Sequence, residues 1–170
     1  MRERKRYKIF ETGWGWMGAA WSEEGVFKLT FPFTRREEAL RALEPEPDWI
    51  EDERGFEKLA EKVRRYFEGR RISFEDIPVS FELGTEFQKK VWSITREIPY
   101  GERRTYKEIA CMLGIPRGCR AVAQALKRNP LFLLVPCHRV VGAGGRLVGF
   151  SGGLELKRKL LDLEAGSSPL

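Results

Sequence analysis

The sequence predicts an α+β protein made of two small domains within 170 residues. Two stretches rich in aromatic and apolar residues, at 13–21 and 25–31, are typical of paired strands, whereas the later apolar residues recur mainly at helical spacing. The charge also changes along the chain: residues 1–78 carry 16 Lys and Arg against 17 Asp and Glu, and the remainder carries 15 against 8. We therefore expect an N-terminal α+β domain over 1–78, a linker over 79–84 and a basic C-terminal domain over 85–170.

The N-terminal domain is predicted to contain a hairpin and two helices. The two strands are joined by a turn that ends in glycine. Thr34 and Glu37 match a capping box, which predicts a short helix that runs through Leu43. Apolar residues at helical spacing predict a second helix over 55–68, and Ile72–Phe74 is expected to form another strand. No pattern of catalytic residues is evident in this half.

The C-terminal domain is predicted to begin with a helix that starts at Thr85 and ends before the turn Pro99-Tyr100-Gly101. Thr105 and Glu108 then match a second capping box, so a short helix should follow and stop at Gly114. We expect this helix to be the first member of a pair.

The second helix of the pair is predicted to run from about Gly118 to Arg128. Two short helices joined by a Gly-containing turn form a helix-turn-helix, whose second helix normally enters a DNA groove. Small side chains such as Ala121 permit close approach to a surface, and an Ala-rich helix packed on a neighbour is the alternative. The positive charge of this half favours DNA. Four basic side chains can reach phosphates, namely Arg117, Arg120, Lys127 and Arg128.

The chain has one histidine, His138, and it directly follows Cys137. A thiol becomes a strong nucleophile when a neighbouring group takes its proton, and imidazole is the usual acceptor. The flanking residues are apolar and β-branched, which predicts a buried strand that ends at this pair, with Pro136 limiting ladder pairing. An inert buried cysteine beside a surface histidine is the alternative. A reactive pair should have a depressed thiol pKa.

The segment after this pair is predicted to form a strand, a glycine turn and a second short strand over 140–148. A flexible loop, Phe150–Gly153, should precede a final amphipathic helix over Leu154–Glu164.

The composition limits the compartment and the kinds of site. Three cysteines without framework spacing suit a reducing compartment, here the cytoplasm. The sequence contains no run of about 18 apolar residues and no apolar core of a signal peptide, so we expect neither a membrane span nor secretion. No Cys or His precedes Cys111, which excludes a Cys/His zinc site in the N-terminal half. One Asn and two Gln beside many charged residues indicate a thermophile.

A series of short motifs follows in order through residues 87–164. They are Phe87-Gln88-x-x-Val91-Trp92, Ile98-Pro99-Tyr100-Gly101, Thr105-Tyr106, Arg120-Ala121-Val122, Asn129-Pro130, Pro136-Cys137-His138-Arg139-Val140, Gly149-x-Ser151-Gly152-Gly153, Lys157 and Leu160-Leu161-x-Leu163-Glu164. Together these motifs closely resemble the O6-alkylguanine-DNA alkyltransferase family, the methylated-DNA–protein-cysteine methyltransferases. The N-terminal half matches that family only in the size and order of its elements.

The resemblance implies a fold and a reaction. The fold would be a ribonuclease H-like N-terminal domain and a winged-helix-like C-terminal domain. The reaction would transfer an alkyl group irreversibly from O6 of guanine, or O4 of thymine, to Cys137, once per molecule. By the same likeness His138 takes the thiol proton through a water, Glu164 orients the imidazole, and Tyr106 donates a proton or hydrogen bond to the guanine ring. No metal or cofactor is implied.

The resemblance also implies how a monomer would handle double-stranded DNA. The damaged nucleotide would be flipped out through the minor groove, and Arg120 would fill the vacated stack. Asn129 would tie the helix pair to the cysteine segment as a hinge. The base pocket would be bordered by Asn129, Val148, Phe150, Ser151 and Lys157.

The chain departs from the family pattern in two places, and two alternative functions remain. Phe150 stands where many relatives have tyrosine. Cys111 and Cys119 stand where small residues are usual; we expect them to be packed thiols, and a disulfide between the two helices is the alternative. One alternative function is a lesion binder that does not react, but such proteins lack the cysteine that this chain has at position 137. The other is a helix-turn-helix transcription regulator, which would bind a specific DNA sequence as a dimer.

Overall fold

The computed structural model describes residues 3–166, and they adopt the predicted α+β fold. Two compact units are present. The first contains residues 3–83 together with Pro130–Leu134, and the second contains Gly84–Asn129 and residues 135–166. Within residues 3–166, no helix is both long and apolar enough to cross a membrane.

The first unit is built on a four-stranded sheet with the order β3-β2-β1-β4. Strands β1 and β2 are antiparallel, as are β2 and β3, whereas β4 runs parallel to β1. One face packs on a helix to form a core that contains Ile9, Phe27 and Leu43. The strands are β1 (Arg6–Thr12), β2 (Gly15–Ser22), β3 (Gly25–Leu29) and β4 (Ile50–Glu51), and the helices are α1 (Arg36–Leu43) and α2 (Glu57–Phe67).

The first unit differs from the sequence-based expectations in three respects. Strands β1 and β4 were not predicted, because β1 begins with charged residues and β4 is two residues long and exists only through pairing with Arg6 and Tyr7. Thr34 does not cap α1, which begins at Arg36 without a side-chain cap. Residues 72–74 form no strand, since a turn from Phe74 to Ile77 buries both apolar side chains.

The second unit is mainly helical. Its α-helices are α3 (Glu86–Arg96), α4 (Tyr106–Met112), α5 (Cys119–Lys127) and α6 (Leu154–Glu164). A short parallel pair joins β5 (Arg104–Thr105) to β6 (Val140–Val141). Thr85 caps α3 through the reciprocal bonds of a capping box with Gln88, and the Thr105 hydroxyl caps α4. The predicted helix pair is therefore present as α4 and α5.

Two predicted strands of the second unit are absent. Cys137 does not end a strand but opens a 3₁₀ turn, Cys137–Arg139, because backbone bonds between residues two or three apart replace ladder pairing there. Beyond β6, Gly142 donates to the Arg146 carbonyl and closes a turn, so residues 146–148 remain outside any strand.

Candidate active site

The candidate nucleophile, Cys137, lies at the start of the 3₁₀ turn and is tied to the end of α5. The Asn129 side-chain amide donates to the Val135 carbonyl at 3.0 Å and to Cys137 Sγ at 3.4 Å. A single asparagine side chain therefore holds the segment that carries the thiol.

His138 lies next to Cys137 and is fully buried against the last residue of α6. Its Nε2 is 2.6 Å from Glu164 Oε2, and both side chains are almost completely buried. A carboxylate at this distance accepts the Nε2 proton, so Nδ1 is the nitrogen that can accept a proton from elsewhere. The structure thus brings His138 and Glu164 together, as the family resemblance implied.

Arg139 forms a buried cluster with His138 and Glu164, and the sequence patterns predicted no role for it. Its guanidinium donates to both oxygens of Glu164, at 2.8 and 3.1 Å, and to the Ile98 carbonyl at 2.7 Å. The Gly101 amide adds a bond to Glu164 Oε1 at 3.0 Å. An arginine inside the apolar run around Val140 is the signal that could have identified this role, since a buried charge requires a partner.

A second cluster joins Tyr106 at the start of α4, Lys157 on α6 and the loop at Val148 and Gly149. The Tyr106 hydroxyl donates to the Val148 carbonyl at 2.8 Å, and Lys157 Nζ lies 3.1 Å from the same carbonyl. Lys157 Nζ also approaches the Tyr106 oxygen at 3.3 Å and the Gly149 carbonyl at 3.4 Å. Ser151 anchors the loop further on by donating to the Lys127 carbonyl at 2.7 Å.

These elements enclose a small cavity beside the thiol. Its volume of about 20 Å³ is enough for one water-sized molecule but not for a purine. A base could enter only if the lining side chains or the loop moved. The lining residues are Tyr106, Ala123, Leu126, Lys127, Cys137, Gly149, Phe150 and Ser151.

Comparison with known proteins assigns this arrangement to a family. The model of the 6-O-methylguanine DNA methyltransferase DNA binding domain matches residues 86–166. A methylated-DNA–protein-cysteine methyltransferase of Methanosarcina acetivorans is 44% identical over 158 residues, which cover 93% of this chain and 97% of that protein. The chain belongs to the methylated-DNA–protein-cysteine methyltransferase family.

Solved structures agree with this assignment. The Mycobacterium tuberculosis protein OGT in complex with DNA superposes with a TM-score of 0.81 at 34% identity, over 96% of this chain and 95% of that one. The O6-methylguanine-DNA methyltransferase of Pyrococcus kodakaraensis gives a TM-score of 0.70 at 28% identity, over 94% and 98% of the two chains. This chain is accordingly a DNA-binding methyltransferase of DNA repair.

The residues expected to meet DNA lie on an exposed face of the methyltransferase. Arg117 lies in the turn between α4 and α5, Arg120 and Ala121 lie on the first turn of α5, and Lys127 and Arg128 lie at its end. Ala123 of the same helix lines the cavity.

Of the predicted base-pocket residues, Phe150 and Ser151 line the cavity directly. Asn129, Lys157 and the Val148 carbonyl border it through their hydrogen bonds. The three cysteines are free thiols, so no bridge joins Cys111 to Cys119, and the expectation of a packed thiol is wrong for Cys111, which is exposed. Within residues 3–166, no three His, Cys, Asp or Glu side chains are grouped so as to hold a metal ion.

Burial sets the protonation states of the site. Burial raises the pKa of the Cys137 thiol, and the bond from Asn129 and the charge of Lys157 offset this only in part. The expected depressed thiol pKa is therefore wrong for the free protein. Burial lowers the pKa of His138 more than Glu164 raises it. Burial opposes ionisation of Glu164, but its bonds to His138 and Arg139 prevail and hold its pKa well below the ordinary value. The resting site contains a neutral thiol, a neutral imidazole and a carboxylate.

The buried histidine predicts a loss of stability in mild acid. Because the folded-state pKa of His138 lies below its ordinary value of about 6.5, the unfolded chain binds more protons below that pH. The free energy of unfolding should be unaffected by this group above about pH 7. It should fall below about pH 6.5, with a slope of up to about 1.4 kcal/mol per pH unit. Urea unfolding between pH 7.5 and 5 measures the slope.

His138→Asn serves as the control for this prediction, because His138 is the only histidine in the chain. The variant should show a flatter dependence over the same pH range, whatever its overall stability. An unchanged slope in His138→Asn would assign the acid sensitivity to carboxylates instead.

Proposed function

We propose that the protein repairs O6-alkylguanine in double-stranded DNA by irreversible transfer of the alkyl group to Cys137, once per molecule. The observation that carries the proposal is the buried pair of His138 and Glu164 directly beside a thiol that borders a cavity. We extend the substrate to O4-alkylthymine by family resemblance alone.

The proposed reaction begins with loss of the thiol proton. His138 Nδ1 accepts it through a water, and Glu164 stabilises the imidazolium that forms. Sulfur then attacks the alkyl carbon, a C–S bond forms, and the bond from that carbon to O6 breaks with its electrons left on the guanine. Tyr106 donates a hydrogen bond to the guanine ring, and the proton held by His138 passes through water to the guanine anion, which leaves both the guanine and the imidazole neutral. The products are a thioether and guanine, and no metal or cofactor is required.

One turnover follows from the chemistry of the product. A thioether on an sp³ carbon is not readily cleaved by water, and no described group is placed to remove the alkyl chain. The raised pKa of Cys137 fits a thiol that is held neutral until the base arrives and then gives its proton to His138.

Access to the lesion requires base flipping, because a thiol cannot reach O6 inside a duplex. We propose that α5 approaches the minor groove, that Arg120 fills the gap left by the extruded base, and that Ala121 permits the close approach. Arg117, Lys127 and Arg128 would contact phosphates. The exposure of these residues on the helix that also lines the cavity with Ala123 supports the arrangement.

Further features of the protein are inferred from the family resemblance, the free thiols and the composition. We infer a ribonuclease H-like first unit and a winged-helix-like second unit from the family resemblance. We also infer a monomer that works in the cytoplasm, which the three free thiols support. The scarcity of Asn and Gln supports a thermophilic source.

Mass spectrometry tests the proposal most directly. After incubation with excess duplex DNA containing O6-methylguanine, we expect one methyl group per chain, located on Cys137. Cys137→Ala should still bind DNA but gain no methyl group, whereas Cys111→Ala should be methylated like the wild type, because Cys111 is an exposed thiol outside the proposed site. Methyl transfer in excess of one per chain, or a methyl group on Cys111 or Cys119, would refute the mechanism.

A further inference from the structure

Trp92 of α3 is buried in the second unit and carries a polar N–H group into its interior. The indole Nε1 donates to the backbone carbonyl of Ala125, in the last turn of α5, at 2.8 Å. The last four carbonyls of a helix lack an intrahelical amide partner, and the Ala125 carbonyl is one of them. Trp92 is therefore a side-chain cap for the C-terminus of α5, a bond that the mechanism proposed above does not use.

The way α5 ends determines where Asn129 begins. If the helix continued by one residue, the Asn129 amide would donate to the Ala125 carbonyl. Instead, the Arg128 amide reaches the Ala125 carbonyl at 3.2 Å and the Asn129 amide bonds three residues back at 3.1 Å, in the tighter 3₁₀ pattern. Pro130 disfavours a helical conformation at Asn129, and the indole of Trp92 already donates to the carbonyl that a longer helix would use. Together they end α5 directly before Asn129.

Outside the helix, the side chain of Asn129 reaches the segment that carries the thiol. Its amide donates to the Val135 carbonyl at 3.0 Å and to Cys137 Sγ at 3.4 Å. Burial raises the pKa of Cys137, and the bond from Asn129 lowers it because it favours the thiolate over the thiol. One further helical residue would turn Asn129 by about 100° around the axis of α5, and its amide would then point away from the sulfur.

We propose that Trp92 is a positioning residue that directs the Asn129 amide to Cys137 Sγ. It does so by holding the Ala125 carbonyl, which fixes the residue at which α5 ends. The role rests on the proposed function, since it concerns the sulfur as the alkyl acceptor. An action through the cavity wall, which α5 forms in part with Ala123, is the competing route, and the experiments below separate the two.

Gly84 holds the other edge of the indole. A Cβ atom at position 84 would lie 2.5 Å from Cζ3 and 2.9 Å from Cη2 of Trp92, which is too close for any real contact. The six-membered ring therefore packs directly on the backbone that precedes the cap at Thr85, while the N–H faces α5. Gly84→Ala must displace the indole, so it disturbs the bond to Ala125 without removing the N–H group.

The relative reactivity of two thiols tests the role of Trp92. Iodoacetamide labels Cys137 and the exposed Cys111 in one sample, and mass spectrometry of their peptides gives the ratio of the two rates. We expect Trp92→Phe, which keeps an aromatic ring but lacks the N–H, to lower the Cys137 to Cys111 ratio about threefold at about pH 8, because Asn129 then favours the thiolate less. Loosened packing would raise the ratio instead, since exposure lowers the pKa of a buried thiol. An unchanged or raised ratio would overturn the proposal.

Two further variants and a control sharpen this test. Gly84→Ala should lower the ratio in the same direction although it keeps the indole. In an Asn129→Ala background, which has no amide to direct, Trp92→Phe should change the ratio by less than about twofold. An equal fall in both backgrounds would assign the effect to the cavity wall and contradict the proposal. Trp49→Phe is the matched control and should leave the ratio unchanged, because the buried indole nitrogen of Trp49 has no hydrogen-bond partner within residues 3–166.

The titratable groups that face Cys137 are the same in all these proteins, namely His138, Lys157 and Tyr106. The reaction itself provides the second readout. Benzylation of Cys137 by free O6-benzylguanine should be about tenfold slower in Trp92→Phe than in the wild type. A wild-type rate in Trp92→Phe would refute its role in the reaction. Failure of the proposed function has a separate outcome, because wild-type Cys137 would then gain no benzyl group while the labelling ratio would still report on Trp92.

Discussion

Replacement of Glu164 by glutamine is expected to slow alkyl transfer by about 100-fold and to lower the free energy of unfolding by about 3–5 kcal/mol. Glu164 accepts bonds from His138, from Arg139 and from the Gly101 amide, and it is buried. A neutral amide cannot stabilise the imidazolium, and it leaves the buried Arg139 charge uncompensated. Single-turnover rates with O6-benzylguanine and urea unfolding measure the two effects.

The same helix offers a matched control. Glu155 lies in the first turn of α6, and its side chain is 88% exposed beside Lys159. Glu155→Gln should change neither the rate nor the stability measurably, because exposed pairs contribute little. If Glu164→Gln reacted at the wild-type rate while retaining its fold, the relay through His138 would be excluded.

Replacement of Arg120 by alanine is expected to slow repair of duplex DNA by about 100-fold and to leave the reaction with free O6-benzylguanine almost unchanged. Flipping a base out of the stack costs a few kcal/mol, and the arginine would compensate for it by filling the gap. Free benzylguanine needs no flipping. The measured quantity is the ratio of the two rates on one variant, so a loss of folded protein cancels.

Arg128→Ala is the matched control for Arg120→Ala. Arg128 is exposed at the end of α5 and carries the same charge. As a phosphate contact it should weaken DNA affinity uniformly across sequences and reduce the salt slope by about one. Equal slowing of both substrates by Arg120→Ala would make Arg120 a structural residue of the helix pair, and the flipping role would be wrong.

Local sequence patterns were sufficient to locate the α-helices of the described residues and to indicate Cys137 and His138 as the candidate reacting residues. Helical spacing of apolar residues marked α2 and α6, and the caps at Thr85 and Thr105 marked the starts of α3 and α4. These features depend on neighbours within one or two turns, so they can be recognised without the rest of the fold. Cys137 and His138 are consecutive residues, so their proximity could be read from the sequence without the tertiary structure.

Features that depend on distant partners came only from the tertiary structure. Strand β4 exists because two residues pair with β1, and the segment before Cys137 forms an isolated bridge between Leu131 and Leu29 of β3 and then turns. Arg139 and Lys157 are buried against groups that lie 8 to 51 residues away in the chain. Burial of the Cys137 thiol raises its pKa, which is opposite to the direction expected from the sequence. Solvation of a charge depends on everything packed around it, and the order of residues in the chain does not reveal that environment.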